Sequence, residues 1–98
     1  MYEFKDLKVS KDGKHKYQVE LLNKDTGRTK TVKFGAKGYS DFTQNKDEER
    51  KSNYIARHKA REDWTKSGID TAGFWSKNLL WNKPSVDASL KDLKKKYF

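Results

Sequence analysis

The segment HKYQVELLN, residues 15–23, constrains the fold more strongly than any other part of the sequence. Apolar and polar residues alternate along it, which is typical of a strand with one face on a core. Turn signals lie on both sides, Asp12-Gly13 before the segment and Gly27 after it. A strand bounded by two tight turns pairs with antiparallel neighbours, so we predict a meander around it.

The flanking segments supply the two outer strands. Before the first turn, the apolar residues of Tyr2–Val9 follow a period of two with a slip between Lys5 and Asp6, which predicts a bulge or a bend. After the second turn, Val32 and Phe34 alternate with lysines and are expected to point inward. The sequence therefore predicts a three-stranded antiparallel β-meander.

Helical patterns follow the meander. A first helix is predicted from about Lys46 to about Trp64, because three acidic residues load its first turn. The segment AGFWSKNLLW, residues 72–81, is the most apolar of the chain and is expected to form a helix at the centre of the core. Pro84 ends it, and Ser85 caps a third helix with apolar residues at helical spacing.

These patterns predict one α+β domain over residues 1–98. Residues 1–43 form the β-meander and a glycine loop, and residues 44–98 form a helical part with two to three α-helices packed on one face of the sheet. Hydrophobic residues are 33% of the chain and aromatic residues 13%, so the single core is expected to be compact and aromatic.

The charge balance indicates the class of partner. Lysine and arginine number 23 against 14 acidic residues, a formal net charge of +9. A small domain of this charge favours a polyanionic partner, with nucleic acid, DNA first, ahead of an anionic membrane surface. The competing interpretation is that the lysines only keep a small domain soluble.

Other classes of protein are disfavoured. The chain has no cysteine, which excludes disulfides and thiolate metal sites. No apolar run approaches the roughly 20 residues that cross a bilayer, and Glu3 near the start is unlike a signal peptide. We therefore expect no membrane association and no secretion, and a location inside a virion or inside the host cell, in its cytoplasm or nucleus.

The sequence offers little for catalysis. His15 lies in a turn and His58 lies within the first helix, and neither has a second good metal ligand at a useful spacing. His58 and Glu62 are four residues apart on one helix face, which more often makes an ordinary surface contact. We therefore predict no enzyme activity, no catalytic residue, no metal site and no cofactor.

A basic stripe is the best candidate site. Arg50, Arg57 and Arg61 recur at spacings of seven and four on the first helix, with Tyr54 among them to pack on a sugar or base. Gly35 and Gly38 frame Lys37 in a loop whose main-chain N–H groups are expected to add to the same anion. The predicted nucleic-acid-binding residues are Lys37, Arg50, Tyr54, Arg57, Lys59, Arg61 and Lys77.

Each feature also has a structural interpretation. The glycine loop can simply be a tight turn that packs Phe34 and Tyr39 into the core, and the arginine stripe can be a solvated helix face paired with acids such as Glu62 and Asp47. If about six phosphates are engaged, log affinity should fall with log salt at a slope of roughly −5. Phosphate contacts carry little sequence preference.

Three stretches resemble a family of short basic proteins of large DNA viruses of algae and amoebae, the nucleocytoplasmic large DNA viruses. They are FGxKGxxDxT at residues 34–43, KDxxRxxxYxxRH at 46–58 and TAGFWSxxLLWNKP at 71–84, and they occur in this order. Together they cover a little over half of the chain. The resemblance implies a viral source and a virion or host-cell location, and it implies no activity.

A weaker similarity is to the WGR domain, the module of poly(ADP-ribose) polymerases that contacts DNA ends. Residues 16–42 lead through an aromatic-glycine turn towards a helix, as in that domain. Phe34-Gly35-Ala36 stands in place of Trp-Gly-Arg, so the base-stacking tryptophan and its arginine are missing. The similarity implies that Lys37 and its loop face nucleic acid.

A second function remains open from the sequence. Trp and Arg dominate the energetics of protein interfaces, and a domain this small has limited room to bury its tryptophans. A surface formed by Phe74, Trp75 and Trp81 would suit a minor capsid or other virion structural protein that acts through protein–protein contacts. A non-enzymatic viral nucleic-acid-binding protein remains the first hypothesis.

Overall fold

A computed structural model describes residues 2–98 and shows an α+β fold. A three-stranded antiparallel sheet with strand order β1-β2-β3 is followed by helices. The elements are β1 (Tyr2–Val9), β2 (His15–Asn23), β3 (Thr29–Ala36), α1 (Phe42–Asn45), α2 (Glu48–His58), a 3₁₀ turn (Lys66–Gly68), α3 (Ala72–Trp75), a π-helical segment (Ser76–Leu80) and α4 (Val86–Tyr97). The predicted fold class is confirmed.

The register of the sheet confirms the slip expected in the first strand. Phe4 pairs with Leu21, whereas Asp6 pairs with the next residue, Glu20, so Lys5 is the extra residue of a bulge. The bulge keeps apolar side chains on the core face on both sides of it, because one added residue resets the alternation.

The core lies between one face of the sheet and the segments that follow α2. Val19 and Leu21 of β2 are fully buried against Phe74, Trp75 and the π-helical segment. The indole N–H of Trp75 donates to the carbonyl oxygen of Ile69 at 2.7 Å, so its one polar group is satisfied. The expected aromatic core is present.

Two helices differ in extent from the sequence prediction. The first ends at His58 instead of near Trp64, and it begins at Glu48 after Asp47, whose carboxylate accepts from the N–H groups of Glu49 and Arg50. Past His58, the N–H of Arg61 donates to the carbonyl of His58 in a turn, the Glu62 carboxylate accepts from the Trp64 indole, and Asp63 accepts from the N–H of Thr65.

The expected helix over residues 72–81 is one α-helical turn continued by the wider π-helical segment. The N–H of Trp81 donates to the carbonyl of Ser76 at 3.2 Å, a bond that spans five residues. This wider turn buries Leu79 and Leu80 together, while α3 buries Phe74 and Trp75.

That packing overturns one sequence-based expectation. Phe74 and Trp75 are both 0% exposed, so they form no surface for a partner protein. Trp81 is partly exposed, but its ring stacks on Tyr54. Within residues 2–98, no helix is long and apolar enough to cross a membrane.

Candidate nucleic-acid interface

A groove of about 840 Å³ separates the loop after β3 from helix α2. We call it the arginine groove, because Arg50 and Arg57 of α2 line it together with Tyr54. The opposite wall comes from residues 35–36 at the end of β3 and residues 39–41 of the loop, and Trp81 contributes from beyond the π-helical segment. Three of the seven predicted nucleic-acid-binding residues, Arg50, Tyr54 and Arg57, therefore line the arginine groove.

The two arginines carry charge that no carboxylate of residues 2–98 neutralises through a salt bridge. Both side chains are exposed. They are seven residues apart on one helix, which corresponds to about 10.5 Å along its axis. The interpretation that acids pair with this helix face therefore does not apply to Arg50 and Arg57.

A buried ion pair lies in the same groove. Lys16 Nζ is 2.5 Å from Asp41 Oδ2, and the two side chains are only 13% and 4% exposed. Asp41 also caps α1 by accepting from the N–H of Thr43 at 2.9 Å. Because these two charges cancel, Arg50 and Arg57 set the net charge of the groove.

Tyr54 has a different role from the one expected. Its ring stacks on His58 and on Trp81, with centroid separations of 4.2 Å and 4.6 Å. One ring face accommodates one ring at such distances, so the two neighbours cover opposite faces of Tyr54, which is 8% exposed. The ring expected to pack on a sugar or base is already packed within the protein.

The hydroxyl of Tyr54 is tuned by this environment. Burial raises its pKa to about 12, with Glu62 adding to the effect and a hydrogen bond with Ser76 opposing it. Tyr54 is therefore a neutral structural member of the groove wall, and it joins α2 to the segment around Trp81.

Tyr39 is the residue that sequence reasoning placed wrongly. The structural interpretation of the glycine loop placed it in the core beside Phe34, but Phe34 is 1% exposed and Tyr39 is 74% exposed. Its ring lines the arginine groove and also a second groove of about 630 Å³, which we call the lysine groove after Lys37 in its wall. The exposed ring lies directly after Gly38, whereas the chain is buried again at Asp41 and Phe42.

Gly35 brings the loop against the core. Its φ is +77°, and a Cβ there would lie 2.7 Å from Leu80 Cδ1 and 3.3 Å from Lys16 Cβ. Only glycine avoids both the strain and the clash. The expected anion-binding amides are in part already used, since the N–H of Lys37 donates to Lys14 and that of Tyr39 to Ala36.

The remaining predicted residues lie elsewhere among the described residues. Lys59 and Arg61 are exposed beyond the end of α2 and line neither groove. Lys77 lies with its Nζ 5.4 Å from the centre of the Trp64 ring. Burial, together with Lys96 and Lys51, lowers the pKa of Lys77.

A sequence profile of one protein family matches residues 5–58, more than half of the chain. The chain belongs to the family of unknown function DUF5754. The DUF5754 match includes all of the lysine groove and the α2 and loop walls of the arginine groove, and it ends before Lys59, Arg61 and Lys77. No curated protein and no solved structure matches the chain.

The polar cluster at the end of the DUF5754 segment holds the aromatic stack in place. His58 Nδ1 lies 2.9 Å from Glu62 Oε2, and Glu62 Oε1 accepts from the Trp64 indole at 2.9 Å. Both carboxylate oxygens are thus engaged. Among residues 2–98, no group of three or more His, Cys, Asp or Glu side chains is placed to hold a metal ion.

Proposed function

We propose that this protein is a non-enzymatic nucleic-acid-binding protein that contacts the phosphate backbone through the arginine groove. One observation carries the proposal: Arg50 and Arg57, exposed and free of salt bridges to the described carboxylates, line the same groove. The viral source implied by the sequence resemblance, and a location in the virion or the host-cell interior, belong to the same proposal.

The chemistry of the groove suits phosphate. Guanidinium groups present a planar fork of donors that matches two phosphate oxygens, and they stay charged at any physiological pH. Asp41, the acid of the groove, is already paired with Lys16, so it does not repel an incoming phosphate strongly. The surplus of +9 over the whole chain would speed the encounter with a polyanion.

Weak sequence preference follows from the same contacts. Arginine and lysine bonded to phosphate fix the position of the nucleic acid but do not read its bases. A nearly uniform affinity for strands of different sequence is therefore expected. Such binding is also strongly dependent on salt, because each neutralised phosphate releases a counterion.

The salt dependence gives a test of which cations take part. The two grooves together present three exposed cations, Arg50, Arg57 and Lys37, which predicts a log-log slope of about −2 on a single strand and about −3 on a duplex. A slope near −5, as the sequence suggested, would require Lys59, Arg61 and Lys77 as well.

A charge-matched pair of variants tests the site itself. Arg50→Ala with Arg57→Ala removes two positive charges from the groove, and Arg28→Ala with Arg61→Ala removes two exposed charges outside both grooves. Retention on immobilised DNA over a salt gradient should fall sharply for the first variant and only slightly for the second. Equal retention of the two variants would show that net charge, and not the groove, is responsible.

A further inference from the structure

Tyr39 lies where the two grooves meet. Lys16, Tyr39, Ser40 and Asp41 line both of them, so the grooves share one wall segment and form a continuous surface path past the Tyr39 ring. Arg50 and Arg57 line only the arginine groove and Lys37 lines only the lysine groove, whereas Tyr39 lines both. An aromatic ring that is 74% exposed thus lies between two sources of positive charge.

The backbone under this ring is well fixed. The N–H of Tyr39 donates to the Ala36 carbonyl at 3.3 Å, and the hydroxyl of the next residue, Ser40, accepts from the Asn45 side chain at 3.1 Å. Asp41 follows, held by Lys16 and by its capping bond to α1. The ring therefore presents its surface from a loop that is tied down on both sides.

Such an arrangement discriminates between forms of nucleic acid. In a duplex the base faces are stacked inside the helix, whereas an unpaired strand offers them to aromatic side chains. A positively charged groove with an exposed aromatic is the combination that binds single strands without sequence preference. Tyr54, enclosed between His58 and Trp81, cannot supply that surface without unpacking.

We propose that the protein binds an unpaired polynucleotide strand, with a base stacked on Tyr39 and the phosphates on either side of it held by Arg50 and Arg57 and by Lys37. This inference rests on the proposed function of the arginine groove and names the form of nucleic acid that it takes. DNA and RNA strands share the required chemistry, so the test includes both.

The test compares three proteins, wild type, Tyr39→Ala and Tyr39→Phe, by fluorescence anisotropy. The probes are oligo-dT and oligo-rU of roughly 10 nucleotides, a length within the site sizes of single-strand-binding grooves, and a mixed-sequence DNA duplex of the same length. Because Tyr39 is mostly exposed, both variants should unfold in urea at the wild-type midpoint.

We expect wild type to bind at least one of the two single strands more tightly than the duplex. Tyr39→Ala should weaken that binding by about fivefold or more, Tyr39→Phe should preserve it, and the duplex affinity should be unchanged by either. The two single-strand probes identify which sugar is preferred, and preference for either one supports the inference.

Two failures have different meanings. If wild type binds the duplex as tightly as the strands, or if Tyr39→Ala leaves single-strand binding intact, the inference is overturned while the groove remains a phosphate site. If wild type binds none of the three probes at low salt, the proposed function fails together with the inference.

Discussion

The rings of Tyr54 and Trp81 stack face to face, with centroids 4.6 Å apart and planes inclined by 7°. This contact joins α2, which carries the groove arginines, to the end of the π-helical segment, which packs in the core. His58 covers the other face of Tyr54 at 4.2 Å. The position of α2, and with it of Arg50 and Arg57, therefore depends on the packing of the Tyr54 ring, although Tyr54 itself is not expected to contact a phosphate.

Replacing Trp81 by alanine should destabilise the protein and weaken binding indirectly. We expect the free energy of unfolding to fall by about 2–4 kcal/mol, near the lower end for large aromatic-to-alanine changes because Trp81 is partly exposed. Urea unfolding followed by circular dichroism measures it. Trp81→Phe keeps a ring on Tyr54, so its free energy of unfolding should fall clearly less than that of Trp81→Ala. Similar decreases for the two variants would contradict a role for stacking.

The pKa of Tyr54 predicts an alkaline transition. Burial raises this pKa from 10.0 to about 12, so the folded state holds the phenolic proton more tightly than the unfolded chain does. Stability is unaffected at neutral pH and declines as pH rises from 10 towards 12.

Tyr54→Phe isolates that transition, because phenylalanine has no proton to lose. The variant should be less stable than wild type at neutral pH by about 1 kcal/mol, for the lost hydrogen bond with Ser76, and should lose less stability above pH 10. Urea unfolding midpoints of wild type and Tyr54→Phe, measured from neutral pH to about pH 12, test this expectation. An identical alkaline decline in both proteins would show that Tyr54 does not control it.

Gly35 and Gly38 provide a matched comparison of backbone strain and packing. Both have positive φ, +77° and +93°, but an added Cβ at Gly38 meets nothing within 4 Å, whereas one at Gly35 meets Leu80. Gly38→Ala should cost about 1 kcal/mol of stability from strain alone, and Gly35→Ala about 2–4 kcal/mol because the core must also shift. Thermal or urea unfolding measures both, and equal costs would contradict the packing role of Gly35.

The local parts of the fold were predictable from sequence. Alternating strands, tight turns and the bulge at Lys5 each depend on residues a few positions apart, and the sheet follows from them. The cap at Ser85 likewise marks the start of α4, where its side chain accepts from Ala88.

Features set by individual side-chain contacts, and not by a repeating pattern, were not predictable. Helix α2 ends at His58 rather than near Trp64, and Glu62, which bonds to both of these residues, lies in the turn that follows. For this reason Arg61, which shares the helical spacing of Arg57, lies outside the groove. The packing of Gly35 against Leu80, a contact between residues far apart in the chain, likewise leaves no repeating pattern in the sequence.

The ion pair between Lys16 and Asp41 offers a change that should strengthen binding. Asp41→Asn keeps an acceptor for the N–H of Thr43, so the cap of α1 survives, but it leaves the Lys16 ammonium without its counter-charge. Because the pair is buried, we expect stability to fall by about 3 kcal/mol, the lower end for a broken buried pair, since Lys16 Nζ also donates to Gln44 Oε1. The freed ammonium, which lines both grooves, then becomes available to a phosphate.

One additional phosphate contact steepens the salt dependence of binding by about 0.7 on a single strand. We therefore expect Asp41→Asn to bind oligo-dT more tightly than wild type at low salt and to show the steeper slope. Asp87→Asn is the control, since it makes the same change of charge in the first turn of α4, away from both grooves. Equal slopes for the two variants would mean that nucleic acid does not reach Lys16, and the path past Tyr39 would then have to lie elsewhere.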